Sequence, residues 1–207
     1  MPVYDREHWE RLWNKAVQEH AHVLAHRPPN AHFLSVAAKL PAGRVLDAGC
    51  GHGTESLWLA AHGWNVTAVD FSATALTHAR SAAEALGPEV AGRVEWVQGD
   101  LGEWMPESNR YDLVVCLYVH VAVSVEELVH RLAAGVAPGG TLLLVGHRPI
   151  DPASGAPTPA AGQVQVSVEE ALAALDPDRW TLVAAEDRPR REAGSGVDAV
   201  IQAVRKT

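Results

Sequence analysis

Cysteine is scarce, with only Cys50 and Cys116 among 207 residues. Each lies in or beside an apolar run and not in a spaced disulfide or zinc pattern, so both are expected to be reduced thiols in a reducing compartment. Positive charge is short as well: 17 Lys and Arg stand against 25 Asp and Glu, a formal net charge of -8 with a pI near 5.7. That balance argues against a binding mode that neutralises many phosphates or docks on an anionic membrane, so neither nucleic acid nor a membrane is expected as principal partner. Long hydrophobic runs are missing too. The start, MPVYDREHWERLW, is charged and aromatic with no apolar signal region, and later apolar runs are only strand-length, which predicts a cytoplasmic chain.

What the chain does have is enough apolar material for a full core, 47% hydrophobic against 20% charged residues, which fits one globular domain over 1–207. Its eleven histidines invite a metal reading, but His20, His22 and His26 have no acidic or cysteine partner that completes a site, so a solvated helix face is expected and no metal. The sequence leaves the oligomeric state open.

The residues from about Asp5 to Ala25 carry Trp9, Leu12, Trp13, Ala16 and Val17 at helical spacing. The break Arg27-Pro28-Pro29-Asn30 follows, and Asn30 can cap a second helix to about Leu40, making 1–40 an N-terminal helical cap. From residue 41 on, short apolar strands alternate with alanine-rich helices. Strands are expected at Arg44 to Ala48, Trp64 to Val69, Val94 to Gln98, Leu113 to Val119 and, after a Pro138-Gly139-Gly140 turn, Thr141 to Val145. Helices are expected at Gly53 to His62, Ser72 to Leu86 and Val125 to Val136. Such alternation predicts βαβ units and a parallel sheet in an α/β fold. A proline-, glycine- and alanine-rich excursion, 148–163, reads as a lid loop. Ser167 then caps a helix through Leu175, and Trp180 to Ala185 and Ala199 to Val204 complete seven strands.

Between the first strand and its helix lies Asp47-Ala48-Gly49-Cys50-Gly51-His52-Gly53. Glycines there permit a tight turn and let the backbone approach a nucleotide-like ligand. Asp70 ends the second strand, where a carboxylate can accept both ribose hydroxyls, and Gly99-Asp100-Leu101 ends the third, where an acceptor for an adenine amino group is expected. The dinucleotide pattern Gly-x-Gly-x-x-Gly fails at Thr54, which disfavours an NAD-type oxidoreductase. Asp47 would also repel a pyrophosphate, whereas beside an amino or sulfonium group its charge is useful.

The segments VLDAGCGHGTESLWLAAHGWNVTAVDFS, GDL, YDLVVCLYVHV and APGGTLLLVGHRP resemble, in order and separation, the motifs of class I S-adenosylmethionine-dependent methyltransferases. Within that superfamily the chain is similar to the small bacterial tellurite-resistance and thiopurine methyltransferase types. The resemblance implies a Rossmann-like, seven-stranded, mostly parallel sheet of order 3-2-1-4-5-7-6 with the last strand antiparallel, helices on both faces and N-terminal helices over the cofactor. It implies that Asp47, Gly49 and Gly51 hold the methionine part of S-adenosylmethionine, Asp70 the ribose, Phe71 and Asp100-Leu101 the adenine, and the backbone at Leu117 the amino group. His52 stands where relatives often carry an acidic residue.

Methyl transfer from a sulfonium mainly requires alignment and exclusion of water, leaving S-adenosylhomocysteine. If the acceptor, expected to be a small molecule, must lose a proton, a histidine above the sheet edge can take it. His120 and His147 follow the fourth and fifth strands, and His120 is the first choice; Tyr118 could shape the acceptor pocket. Trp9 and Trp13 share a helix face that could stack on the sulfonium, and Arg27 could pair with the cofactor's carboxylate.

Overall fold

A computed structural model describes residues 6–25, 27–120, 122–151, 154–157, 165–189 and 196–207. The chain divides into two compact units, Pro2–Trp104 and Met105–Thr207.

The first unit contains α1 (Arg6–Ala25), α2 (Ala31–Ala37), β1 (Arg44–Ala48), α3 (Thr54–Ala61), β2 (Asn65–Asp70), α4 (Ala73–Leu86), α5 (Pro88–Ala91) and β3 (Val94–Gln98). Strands β1, β2 and β3 pair in parallel, with Asp47 beside Ala68 and Asp70 beside Gln98. Val45, Leu46, Ala68 and Val69 are fully buried, as expected of strands covered on both faces. Helix starts follow local chemistry: the Asn30 side chain accepts from the backbone N–H of His32 and Phe33, and the Ser72 hydroxyl accepts from that of Ala75. Helix α4 buries its small face, Ala75, Leu76, Ala79 and Ala83. Helix α1 packs against α4, where Glu10 accepts from the Thr74 hydroxyl at 2.5 Å and from the Thr74 N–H at 3.2 Å.

The second unit contains β4 (Tyr111–Leu117), α6 (Val125–Gly135), β5 (Val136–His147), α7 (Val168–Ala174), β6 (Trp180–Pro189) and β7 (Val197–Arg205). Strands β4 and β5 are parallel, whereas β7 runs antiparallel to both β5 and β6. The buried run Leu142, Leu143, Leu144 and Val145 forms the middle of this unit's core. The seven strands stand in the order β3-β2-β1-β4-β5-β7-β6, the expected order, with helices flanking the sheet.

Several boundaries correct the expectation. Strand β4 begins at Tyr111 and stops at Leu117 instead of running to Val119, because Tyr118 takes a left-handed conformation (φ 56°) that extended pairing cannot continue. Pro138-Gly139-Gly140 does not precede the fifth strand but lies within it as an irregularity: the pairing steps from Tyr111–Val136 to Leu113–Thr141 around Gly139 at φ 79°. Strand β6 extends to Pro189, and the one-turn α5 was not foreseen. Of the expected lid, Ile150 and Pro157 form an isolated antiparallel bridge, while 152–153 and 158–163 lie outside the described residues. So do His26 and the side chains of His20 and His22. Among the described residues no helix is long and apolar enough to cross a membrane, and no group of three His, Cys, Asp or Glu is placed to hold a metal.

Candidate functional site

The glycine loop leaves β1 with its first two amides, Gly49 N–H and Cys50 N–H, both donating to the Val69 carbonyl of β2 (2.8 and 3.0 Å). Gly49, Gly51 and Gly53 all have positive φ (80°, 53° and 86°), the conformation that side chains disfavour. At Gly51 there is a second reason for glycine. A Cβ there would lie 2.8 Å from Cζ2 of Trp13, so the indole of α1 rests directly on the loop. Trp13 also meets the His52 ring at 5.5 Å between centroids. Trp9, one turn earlier, is half-buried.

Two carboxylates are buried beside this loop. Asp70 accepts from Gly51 N–H at 2.9 Å through Oδ2 and from Ser72 N–H at 2.9 Å through Oδ1. Ser72 does the helix capping, so Asp70 is not consumed by that role. Each Asp70 oxygen has a second lone pair with which a ligand hydroxyl can bond. Burial raises the Asp70 carboxyl above its ordinary value, opposed by the Ser72 and Gly51 N–H bonds. Asp47 is 3% exposed and accepts from the Ser56 hydroxyl at 2.5 Å. Burial pushes its carboxyl up to about 7, repulsion from Glu55 adds to this, and the Ser56 bond opposes it.

His52 is driven the other way, down to about 4, by burial and then by the positive charge of Arg27 and by His78. Its Nε2 pairs with the Thr54 hydroxyl at 2.8 Å. A neutral imidazole therefore occupies this position, and Arg27, itself exposed, lies close enough to act on it. Burial likewise pushes the Cys50 thiol well up, so it is inert.

Just past β2 and β3 the residues differ in burial. Leu101 is buried, Phe71 is half-buried, and Asp100 is exposed with Oδ1 accepting from Gly102 N–H at 2.8 Å. The Phe71 carbonyl accepts from the Gln98 side-chain amide at 3.1 Å. Asp47, Gly49, Gly51, Asp70, Phe71, Trp13 and Arg27 thus all belong to the first unit, around or next to the loop.

Leu117 and His120 belong to the second unit. Leu117 is the half-buried last residue of β4, paired with Val145. His120 is part of a polar cluster that includes residues the sequence did not single out. Its Nε2 lies 3.0 Å from Nε2 of Gln165, whose Oε1 accepts from His147 N–H at 2.5 Å. Nδ1 of His147 lies 3.0 Å from Oδ1 of Asp198, and the Tyr118 hydroxyl donates to Oδ2 of the same carboxylate at 2.9 Å. The Tyr118 and His147 rings stack at 4.0 Å. Asp198 and Gln165 were missed because each is a single polar residue in an apolar run, VDAVI and VQV; that isolation was the available signal.

Residues 45–140 match the family model described as a methyltransferase domain. The ribosomal RNA small subunit methyltransferase C of Alcanivorax borkumensis is 38% identical over 112 residues, 51% of this chain and 33% of that protein. Trans-aconitate 2-methyltransferase of Paracidovorax citrulli is 35% identical over 140 residues, 64% and 49% of the respective chains. The chain therefore spans a third to a half of these relatives. Geranyl diphosphate C-methyltransferase of Streptomyces coelicolor, solved with S-adenosyl-L-homocysteine, superposes with a TM-score of 0.68 at 16% identity, covering 96% of this chain and 97% of that one. At that identity the likeness establishes the fold, the Rossmann-like arrangement of class I methyltransferases.

Proposed function

We propose that this chain, whose residues 45–140 match a methyltransferase domain, is an S-adenosylmethionine-dependent methyltransferase acting on a small molecule. The observation that carries the reading is the pair of buried carboxylates beside the loop. Asp47 and Asp70 are both raised by desolvation, so a ligand bearing positive charge relieves them and a pyrophosphate aggravates them. S-adenosylmethionine, when bound, supplies a methyl group on a positively charged sulfur, an electrophile already activated for in-line displacement.

The residues present fit that ligand. Gly49 and Gly51 hold the loop backbone at positive φ, Asp70 ends β2 where a ribose can be held, and Asp47 offers negative charge to an ammonium or sulfonium. Phe71, Asp100 and Leu101 are proposed for the adenine, the Leu117 backbone for the amino group, Arg27 for the carboxylate, and Trp9 and Trp13 for covering the ligand from α1. The last role would exclude water and hold the alignment on which the rate depends. His120 remains on the acceptor side of the proposal. The net charge of -8 favours a small molecule over RNA as acceptor.

Calorimetry with S-adenosylmethionine tests the reading. The wild type is expected to bind, and Asp70→Ala to bind at least tenfold more weakly, a loss of about 1.4 kcal/mol. Formation of S-adenosylhomocysteine with a panel of phenols, thiols and amines then separates a transferase from a mere binder. A wild type that gives no binding heat refutes the proposal.

A further inference from the structure

Helix α1 meets the glycine loop through one side chain and α4 through another, and the two contacts act together. In a strand-to-helix loop of this kind a glycine lets a ligand come against the backbone where a Cβ would otherwise stand. At Gly51 that space is filled from within the chain. A Cβ there would meet Cζ2 of Trp13 at 2.8 Å and Cη2 at 3.0 Å, so the benzene edge of the indole stands where ligand atoms would have to come. The Gly51 N–H donates to Oδ2 of Asp70 at 2.9 Å, which ties the loop to the end of β2 and leaves the indole as the part that must yield.

The obstacle is movable. Trp13 meets the loop with the rim of a side chain and not with main chain, and its helix is lightly held. None of the described side chains of α1 is fully buried: Trp9, Glu10, Trp13, Ala16 and Val17 are half-buried, and Leu12 is 42% exposed. Elements with so little sealed apolar surface open at the low end of a fold's local stabilities. Nor do α1 and α4 close on each other along their whole length. A cavity of about 370 Å³ lies between them, lined by Val17 from α1 and by Thr74, Thr77, His78 and Ser81 from α4.

A polar clasp holds α1 down. The Glu10 carboxylate accepts from the Thr74 hydroxyl and from the Thr74 N–H, which lies in the first turn of α4 and is one of the donors a helix cannot satisfy within itself. Negative charge is favoured at such a helix start. Glu10 and Trp13 stand three residues apart on α1, so the clasp and the indole lie along one face of the helix. Burial is the main cause of the raised Asp70 carboxyl, but Glu10 adds repulsion to it, which sets the clasp beside the carboxylate proposed for the ribose.

We infer that α1 is a self-blocking plug: Trp13 and S-adenosylmethionine compete for the same face of Gly51, and the cofactor enters only when the clasp between Glu10 and Thr74 lets the helix lift. The inference rests on the methyltransferase reading. The covering role proposed for Trp13 then follows entry, because the indole that leaves Gly51 returns over the ligand and not onto the loop. Apparent affinity and association rate are both scaled by the fraction of molecules whose plug is lifted. Trp13 thus acts twice, against entry before the ligand arrives and against escape afterwards.

Stopped-flow association of S-adenosylmethionine with the whole chain tests the plug. In Trp13→Ala the association rate constant should rise roughly tenfold, as for a plug closed about ten to one in the wild type. Covering alone predicts the opposite division, faster dissociation with association unchanged. Glu10→Ala and Thr74→Val, which loosen the clasp and keep the indole, should also speed association several-fold. Arg11→Ala, on the same helix with its side chain 67% exposed, should match the wild type. Unchanged or slower association in Trp13→Ala, or an equal rise in Arg11→Ala, would overturn the inference. A second readout needs no cofactor. The chain is labelled with 5-fluorotryptophan, and among its seven tryptophans the fluorine resonance of Trp13 is identified by its loss in Trp13→Phe. That resonance is expected away from its position in the unfolded chain and should move toward it in Glu10→Ala. A wild-type resonance already at the unfolded position also overturns the plug. A wild type that gives no binding heat refutes the S-adenosylmethionine reading instead, and the fluorine resonance keeps the two failures apart.

Discussion

Asp47 shows how a single residue links stability to function. Its carboxyl is raised from 3.8 to about 7, so the folded chain holds a proton that the unfolded chain has released between those values. The contribution is fully present below the unfolded value and is lost as pH rises through about 7. Ligand-free protein should therefore lose thermal stability from this group between mildly acidic and neutral pH, and Asp47→Asn should flatten that part of the profile. The same variant should weaken S-adenosylmethionine binding, which opposite effects in thermal-melt and calorimetric measurements would reveal. At this scale the acidic and glycine positions were legible, because a backbone loop and a strand-end carboxylate are local features. What Asp47 touches was not. The Ser56 bond and the burial behind the raised carboxyl depend on how α3 packs on the sheet, against β2 and β3.

Two substitutions at the ends of elements separate capping from packing. Ser72→Ala removes the hydroxyl that accepts Ala75 N–H and should cost about 1 kcal/mol in denaturant unfolding, leaving the Asp70 bond to Gly51 in place. Gly146→Ala meets a harder obstacle. A Cβ there would stand 2.5 Å from the Val166 carbonyl oxygen, so the segment carrying Gln165 crosses the end of β5 at the closest approach glycine permits. That variant should lose about 1–3 kcal/mol by overpacking. Pushing the segment away also breaks the bond from His147 N–H to Gln165, so exchange of that amide proton should quicken where in Ser72→Ala it does not. Element identities followed from apolar periodicity and turn residues, and β1 and β3 fall where the pattern places them. The misplaced end of β4 arose because a tyrosine in YDLVVCLYVHV gives no local sign that it will adopt positive φ. Stacking on His147 and bonding to Asp198, 80 residues away in sequence, decide that conformation.

For the molecule as a whole, the proposed ligand should act as a stabiliser. S-adenosylmethionine at a hundredfold excess over its dissociation constant would add about 2.7 kcal/mol, a thermal shift of several degrees. NADH at the same concentration should give none, since Thr54 stands where the dinucleotide pattern needs glycine and Asp47 and Asp70 repel its phosphates. While the strand order was implied only by the resemblance of the motifs to class I methyltransferases, the sequence by itself determined the α/β alternation and the loop that prepares a ligand cradle. These are written in local periodicity and in residues with special backbone freedom. Only the tertiary structure decided that α1 sets Trp13 on Gly51 and that β7 carries Asp198 against His147. Cross-strand register pairs residues 51 positions apart, and no local pattern in the chain encodes which polar side chain will meet which.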